Sequence, residues 1–300
     1  MLVSHPDLHN VLQSDSPPAR SQLLFTQITT IYLGHHDFSR DYARSLMRVA
    51  ESFDSYCRIP TAKDSSLLVG WLKSLPVSNT TKANYRRMMI TLMKWGNQQS
   101  LCTYSTDLIP RVKQKNKPTI AWTQDEVARL YTQALKCTGT FQTGCPEKLY
   151  WQTFILVGYE TGIRLGDILT LSSDQVRGNR LYITHSKTGV ASAKCISENA
   201  TACVHLMMSL SPNEYVLGWA LSRKHCSLKF GRLVRKAGLR GTIKYLRRSG
   251  ATHCEQTQPG SASRFLGHIS GQALARRNYI DWTQLSESIP KPPPLMTKDS

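Results

Sequence analysis

The chain has 300 residues, 40% of them hydrophobic, and its 38 Lys and Arg against 20 Asp and Glu give a formal net charge of +18. So much apolar content excludes a disordered chain, and at this length it fills one or two cores, with two domains the natural expectation. The excess of cations points to a polyanionic partner, nucleic acid before a membrane surface.

No apolar run approaches the ~20 residues of a membrane span, and the N-terminus lacks the basic-then-apolar pattern of a secretion signal. The eight cysteines are scattered, with no Cys-x-x-Cys pair and no Cys/His spacing of a zinc site. Reduced thiols in a cytoplasmic, DNA-associated protein are the economical reading.

Residues 1–22, which include Ser-Asp-Ser-Pro-Pro, read as a flexible leader. From residue 23 the pattern turns helical. Tyr42, Leu46, Val49 and Phe53 mark one apolar stripe, and Tyr85, Met88, Leu92 and Trp95 another, each at three- and four-residue steps. Between them residues 65–75 give a shorter amphipathic helix. Asn79-Thr80-Thr81 reads as the cap of a fourth helix, whose Lys82 and Arg86 lie one turn apart and away from its stripe. Residues 23–110 are thus expected to be a four-helix domain, with Lys82, Arg86 and Arg87 as candidate DNA contacts.

Residues 111–119 form a polar, basic connector with a proline near its end, and the domain boundary is placed there. A second domain is expected over residues 120–285. Thr123-Gln124-Asp125-Glu126 reads as a capping box that opens a helix, and residues 151–159 as a buried helix. Gly162 breaks that helix, and Arg164 follows three residues before Asp167, close enough on a new helix for the carboxylate to orient the guanidinium. Leu181 and Ile183 then share one face of a strand, Ser186-Lys187-Thr188-Gly189 reads as a turn, and a return strand follows near Lys194-Cys195-Ile196.

Helices are expected over residues 200–210 and 229–238. No acid occurs between Glu214 and Glu255, whereas ten Lys and Arg do, Lys229 and Arg232 among them. Such a run repels itself unless something negative compensates. Within it, residues 242–254 place Ile243, Leu246, Gly250 and Ala251 at helical spacing with Lys244, Arg247 and Arg248 between them. A helix of this kind is anchored in a core and still offers guanidinium, whose rigid fork donates two parallel hydrogen bonds to phosphate oxygens. A Pro259-Gly260-Ser261 turn leads to Leu266-Gly267-His268, and a run of small residues ends at Tyr279. Residues 286–300, rich in proline, cannot form a regular helix and read as a flexible tail.

Tyr159-Glu160-Thr161-Gly162-Ile163-Arg164 with Asp167 and Leu171, Lys244-Tyr245-Leu246-Arg247-Arg248-Ser249-Gly250-Ala251-Thr252, Leu266-Gly267-His268 and Tyr279-Ile280-Asp281 resemble, in order, the boxes of the tyrosine recombinase (phage integrase) family. The likeness runs from about residue 24 to residue 281. It implies a mainly α fold with a small β-hairpin sheet, in a two-domain DNA breaking-rejoining architecture: an N-terminal four-helix core-binding domain and an α+β catalytic domain. The chain departs from the family at Lys244, where a fixed cation stands in place of the usual histidine, and in a slightly longer interval between His268 and Tyr279.

The resemblance implies a site-specific DNA recombinase that cuts and rejoins strands through a 3′-phosphotyrosyl link. Tyr279 is then the nucleophile, and Arg164 and Arg247 hold the non-bridging oxygens, groups of this kind being worth ~3–4 kcal/mol each in the transition state. Lys187, at the hairpin turn, is the general acid for the departing 5′ oxygen. His268 bonds the phosphate or steers the tyrosine, Lys244 adds positive charge, and Arg248, with Lys229 and Arg232, contacts DNA backbone. The implied partners are double-stranded DNA and three further copies of the chain, a tetramer on two duplexes, with no membrane. No cofactor or metal is called for, because the arginines do the electrostatic work that divalent ions do in other nucleases.

Two other readings stay open on sequence alone. A type IB topoisomerase-like relaxase shares the chemistry without synapsis, and a DNA-binding regulator of the same fold lacks the cleavage. All three share one expectation: affinity for duplex DNA falls steeply as salt is raised, by about 10³–10⁵-fold between 50 and 200 mM if 6–10 phosphates are contacted. A titration series by anisotropy checks it, and a flat profile contradicts the charge argument.

Overall fold

In the N-terminal stretch, the apolar stripes fold as helices because each has a single face to bury. The computed structural model describes residues 23–57, 65–114, 118–186, 189–267, 279–281 and 284. The expected leader and tail, and the candidate residues Lys187 and His268, lie outside the described residues. The chain divides into two units, Met1–Asn116 and Lys117–Ser300.

The first unit holds α1 (Phe25–Gly34), α2 (Arg40–Cys57), α3 (Ser65–Ser74) and α4 (Asn79–Gln98). Leu46, Val49 and Phe53 of α2 and Leu92 of α4 are buried, with Tyr42, Tyr85, Met88 and Trp95 packed around the same core. The cap of α4 is Ser78, one residue before the expected Asn79-Thr80-Thr81: its backbone is extended and its hydroxyl accepts from Thr81 N at 3.3 Å. Asp54 of α2 accepts from Phe25 N and Thr26 N at 2.9 and 2.8 Å, so a carboxylate on one helix satisfies the orphan donors that open another.

The second unit is built on α6 (Glu147–Thr161), which starts four residues before the expected helix. Tyr150, Trp151, Phe154, Ile155 and Val157 leave it apolar on nearly every side, so it is covered all round. Against it pack α5 (Gln124–Leu135), α8 (Glu198–Leu210) and α10 (Lys244–Thr257). The capping box of α5 is formed: Glu126 N donates to Thr123 Oγ1 at 3.2 Å and Thr123 N to Glu126 Oε2 at 3.0 Å. α9 (Arg223–Lys236) starts six residues before the expected basic helix, capped by Ser222. The second unit also holds the five-residue helices α7 (Leu165–Leu169) and α11 (Ala262–Leu266).

The strands are β1 (Val176–Arg177), β2 (Arg180–Thr184) and β3 (Ala191–Cys195), an antiparallel sheet in the order β1-β2-β3. The expected hairpin is β2 with β3, in a register that pairs Leu181 with Lys194 and Thr184 with Ala191. β1 adds a two-residue edge that has no periodicity to announce it. Among the described residues no helix is long and apolar enough to cross a membrane.

Gly162 ends α6 in the left-handed region at φ +61°, and Gly267 ends α11 the same way at φ +67°. α10 approaches α6 so closely at Gly250 that a Cβ there would overlap the Tyr159 carbonyl oxygen and lie 2.8 Å from Phe265 Cζ. Gly250→Ala is therefore expected to destabilise the second unit by about 1–3 kcal/mol through overpacking against backbone that cannot yield. Denaturant unfolding of the variant beside the wild type measures it.

Candidate active site

Arg164 follows Gly162 and Ile163 as the N-cap of α7, with an extended backbone at φ −78° and ψ 155°. The left-handed turn at Gly162 redirects the chain there, so the guanidinium leaves the surface of α6 and lines a cleft. It is half-buried, and no hydrogen bond joins it to another described side chain or carbonyl.

Arg247, one turn into α10, is 5% exposed. Its Nη1 donates to Gly162 O and its Nη2 to Leu266 O, the latter at 3.2 Å. Both carbonyls end helices, where unsatisfied C=O groups carry partial negative charge, so a cation is held at two negative poles at once. Burial lowers its pKa, Tyr279 opposes that, and Arg164 adds to it.

Tyr279 lies with its ring centroid 4.9 Å from the Arg247 guanidinium carbon. Its placement comes from its neighbours. Ile280 is wholly buried in a small cluster with Ala251 of α10 and Ala262 and Leu266 of α11. Asp281 N donates to Thr252 Oγ1 at 3.1 Å, and Asp281 Oδ2 accepts from Ala121 N at 3.0 Å. Gln284 Nε2 reaches Ala121 O at 3.0 Å. The phenol is thus seated on the helix that carries Arg247.

These side chains share a cleft of about 800 Å³ lined by Arg164, Arg223, Lys244, Arg247, Arg248 and Tyr279, with Ser227, Gly231, Gly241 and Thr242. Among the described residues, five cations line it and no carboxylate does. The arrangement suits a phosphate, whose oxygens take charge-assisted bonds from several guanidiniums while a phenol lies beside them. Among the described residues, no group of three or more His, Cys, Asp and Glu is placed to hold a metal ion.

The remaining candidates fall out as follows. Lys244 is exposed at the cleft wall. Arg248 is half-buried, with Nη1 3.5 Å from Ile120 O and its guanidinium carbon 5.5 Å from the Tyr245 ring centre. Arg232 and Arg87 are exposed. Lys229 is engaged internally, 3.3 Å from Glu147 Oε1 and 4.9 Å from the Phe141 ring centre. Lys82 Nζ donates to Lys73 O at 3.1 Å, and Arg86 Nη2 to Ile109 O at 2.6 Å. Burial and the nearby Arg111 lower the pKa of Arg86. Lys82 and Arg86 therefore brace backbone in the first unit, which leaves Arg87 as the freer cation of the three.

Asp167 does not orient Arg164. Its Oδ1 accepts from Ser186 N at 3.1 Å and Ser186 Oγ at 2.7 Å, and its Oδ2 lies 3.2 Å from His185 Nδ1. His185 Nε2 is 3.0 Å from Ser192 Oγ, so one neutral tautomer, donating to Asp167 and accepting from Ser192, satisfies every group. Burial pushes the Asp167 pKa up, but the bonds from Ser186 and His185 outweigh it and leave it lowered. The carboxylate therefore fixes the two residues that precede Lys187.

Three site-region residues escaped the sequence reading. Arg223 and Ser227 line the cleft from the first turns of α9. Their only signal was membership of the acid-free run. Lys194 is buried on β3, and its signal was the register: Leu181 faces inward, so the residue paired with it does too.

A family model described as the phage integrase family matches residues 121–284, more than half of the chain. None of the curated proteins compared matches it significantly. Among solved structures, a lambda integrase dimer bound to a COC′ core site aligns with TM-score 0.68 at 16% identity, over 93% of this chain and 82% of that one. The XerH site-specific recombinase bound to a palindromic difH substrate gives 0.69 at 17%, over 88% and 83%. The integrase of transposon Tn1549 in complex with circular intermediate DNA gives 0.63 at 12%, over 90% and 100%. The fold of these proteins is the fold described above, and with the family model matched across the unit that carries the cleft, the chain belongs to the phage integrase family.

Proposed function

We propose that the chain is a site-specific DNA recombinase that acts through a covalent tyrosine intermediate. The observation that carries this is the convergence of Arg164, Arg247 and Tyr279, from three separate stretches of sequence, on one cleft that has five cations and no carboxylate among the described residues. A scissile phosphate lying there meets the two guanidiniums with its non-bridging oxygens and the Tyr279 hydroxyl in line with its 5′ bridging oxygen. The Oη–P bond forms as the P–O5′ bond breaks, which leaves a 3′-phosphotyrosyl end and a free 5′ hydroxyl. The phenol's proton leaves through the open cleft to solvent, and Lys187 supplies the proton to the departing 5′ oxygen.

Because the phosphoryl group keeps its bond energy in the tyrosyl ester, a second 5′ hydroxyl reverses the step without any other energy source. Exchange of strands follows when that hydroxyl comes from another duplex, which requires copies of the chain on two duplexes. His268 and Lys244 are assigned to phosphate binding, and Lys229, Arg232, Arg248 and Arg87 to contacts with the DNA backbone. Residues 23–110 are assigned as the core-binding domain and 120–285 as the catalytic one. The neighbours' complexes with DNA support duplex DNA as the partner here.

The direct test is recovery of DNA joined to the protein from cells, followed by sequencing across the junction, which yields both the activity and the site. Tyr279→Phe is expected to abolish the adduct, and an adduct that survives it overturns the assignment. On a nicked duplex carrying the recovered site, Arg164→Ala is expected to slow single-turnover adduct formation by roughly 10²–10³-fold, as for other groups that stabilise developing charge. Its melting temperature should not change, since Arg164 bonds no other described residue. Adduct formation is expected to persist in EDTA, and its loss on chelation contradicts the scheme.

A further inference from the structure

Lys194 is the buried cation that the cleavage scheme leaves without a task. It sits in β3 opposite Leu181, so the strand alternation turns it inward, where it is 8% exposed. A lysine in such a place must bring hydrogen-bond partners with it or lose much of its hydration without return. Its Nζ donates to Phe265 O and lies 5.7 Å from the centre of the Phe265 ring. The next carbonyl along the chain, Leu266 O, is the one that takes Arg247 Nη2. Two cations from two different elements therefore grip the last two carbonyls of α11.

We propose that Lys194 is a positioning residue of the cleavage site: with Arg247 it clamps the end of α11, and through α11 it sets where Tyr279 stands. The link from α11 to Tyr279 is packing. Ala262 and Leu266 bury Ile280, with Phe265 and Tyr279 against the same cluster. Phe265 in turn fills the space that Gly162 and Gly250 leave open, with its Cζ 2.8 Å from a Cβ built at either position. A shift of α11 is therefore felt at the phenol and at the Gly162 carbonyl that holds Arg247. Lys194 touches no reacting atom, and its role rests on the recombinase reading given above.

The charges that act on it follow from the same geometry. Burial first, and then Arg247 of α10, lower the pKa of Lys194 to about 8 against the opposing effect of Cys254 of α10. The ammonium is thus present at neutral pH and is lost as the pH rises through about 8, where a charge-assisted bond becomes a weaker neutral one.

Three proteins decide the matter: wild type, Lys194→Met and Lys194→Arg. Amide hydrogen exchange of the free protein is followed over residues 262–267 and 279–281, with α6 as internal reference. Lys194→Met is expected to speed exchange there by about tenfold or more while α6 is unchanged, and Lys194→Arg to restore protection. Adduct formation on the nicked site is expected to fall by about 10–100-fold in Lys194→Met and to recover in Lys194→Arg, the scale at which misplacement away from the chemistry slows an enzyme. Unchanged exchange overturns the proposal, as does raised exchange with unchanged cleavage. A wild type that forms no adduct overturns the recombinase reading instead, and the positioning role with it. Should Lys194→Met fail to fold, the wild type and Lys194→Arg decide: protection of residues 262–267, corrected for intrinsic base catalysis, must weaken between pH 7 and 9.5 in the wild type and stay level in Lys194→Arg.

Discussion

The second unit depends on burying one guanidinium. Arg247 is held by the carbonyls that end α6 and α11, with the Tyr279 ring beside it. A cation taken out of water is tolerated only when its donors are occupied, and here the acceptors are backbone groups at helix ends, which have no partner within their own helices. The interaction works in both directions. The helix ends satisfy the arginine, and the arginine fixes where the two helices stop relative to each other. Gly162 and Gly267 serve the same purpose, since the left-handed turn at each helix end is what exposes a carbonyl to Arg247 from each side.

Anchoring an arginine this way fixes its guanidinium on folding. A guanidinium on an exposed side chain loses rotamer entropy when it meets a phosphate, whereas Arg247 has already lost it on folding. Arg164 differs: it bonds no described residue and stands at the start of a five-residue helix, so its positioning is left to the backbone. The two arginines of the cleft are thus held in different ways, one by helix-end carbonyls and one by its backbone at the start of α7. Preorganised donors of the first kind are what makes electrostatic stabilisation of a transition state effective.

Much of this was legible in the sequence, and the failures have physical causes. The helices of both units followed from three- and four-residue apolar spacing, as at Leu46, Val49 and Phe53. The cleft residues followed from Arg-bearing motifs in a fixed order. Asp167 was misread because the i,i+3 rule presumes that both residues lie on a helix, whereas Arg164 has an extended backbone at the N-cap and its side chain leaves in another direction. Lys82 and Arg86 each reach a carbonyl from elsewhere in the chain, Lys73 O and Ile109 O, which no local spacing announces. Lys194 went unnoticed since lysine in a strand is usually solvated, and its burial depends on α10 and α11, which no local pattern connects to β3.

Asp167 also shows how the site manages its charge. The cations that share the cleft repel one another, and a carboxylate inside it would relieve that by occupying them. Asp167 favours the charged form of Arg247 without lining the cleft. Its oxygens are taken by Ser186 and His185, so it neither competes for Arg164 nor faces a bound phosphate with an unpaired lone pair. The same carboxylate holds the backbone of the residue before Lys187, so the acid that tempers the arginines also ties the hairpin turn to the helix that follows the first of them.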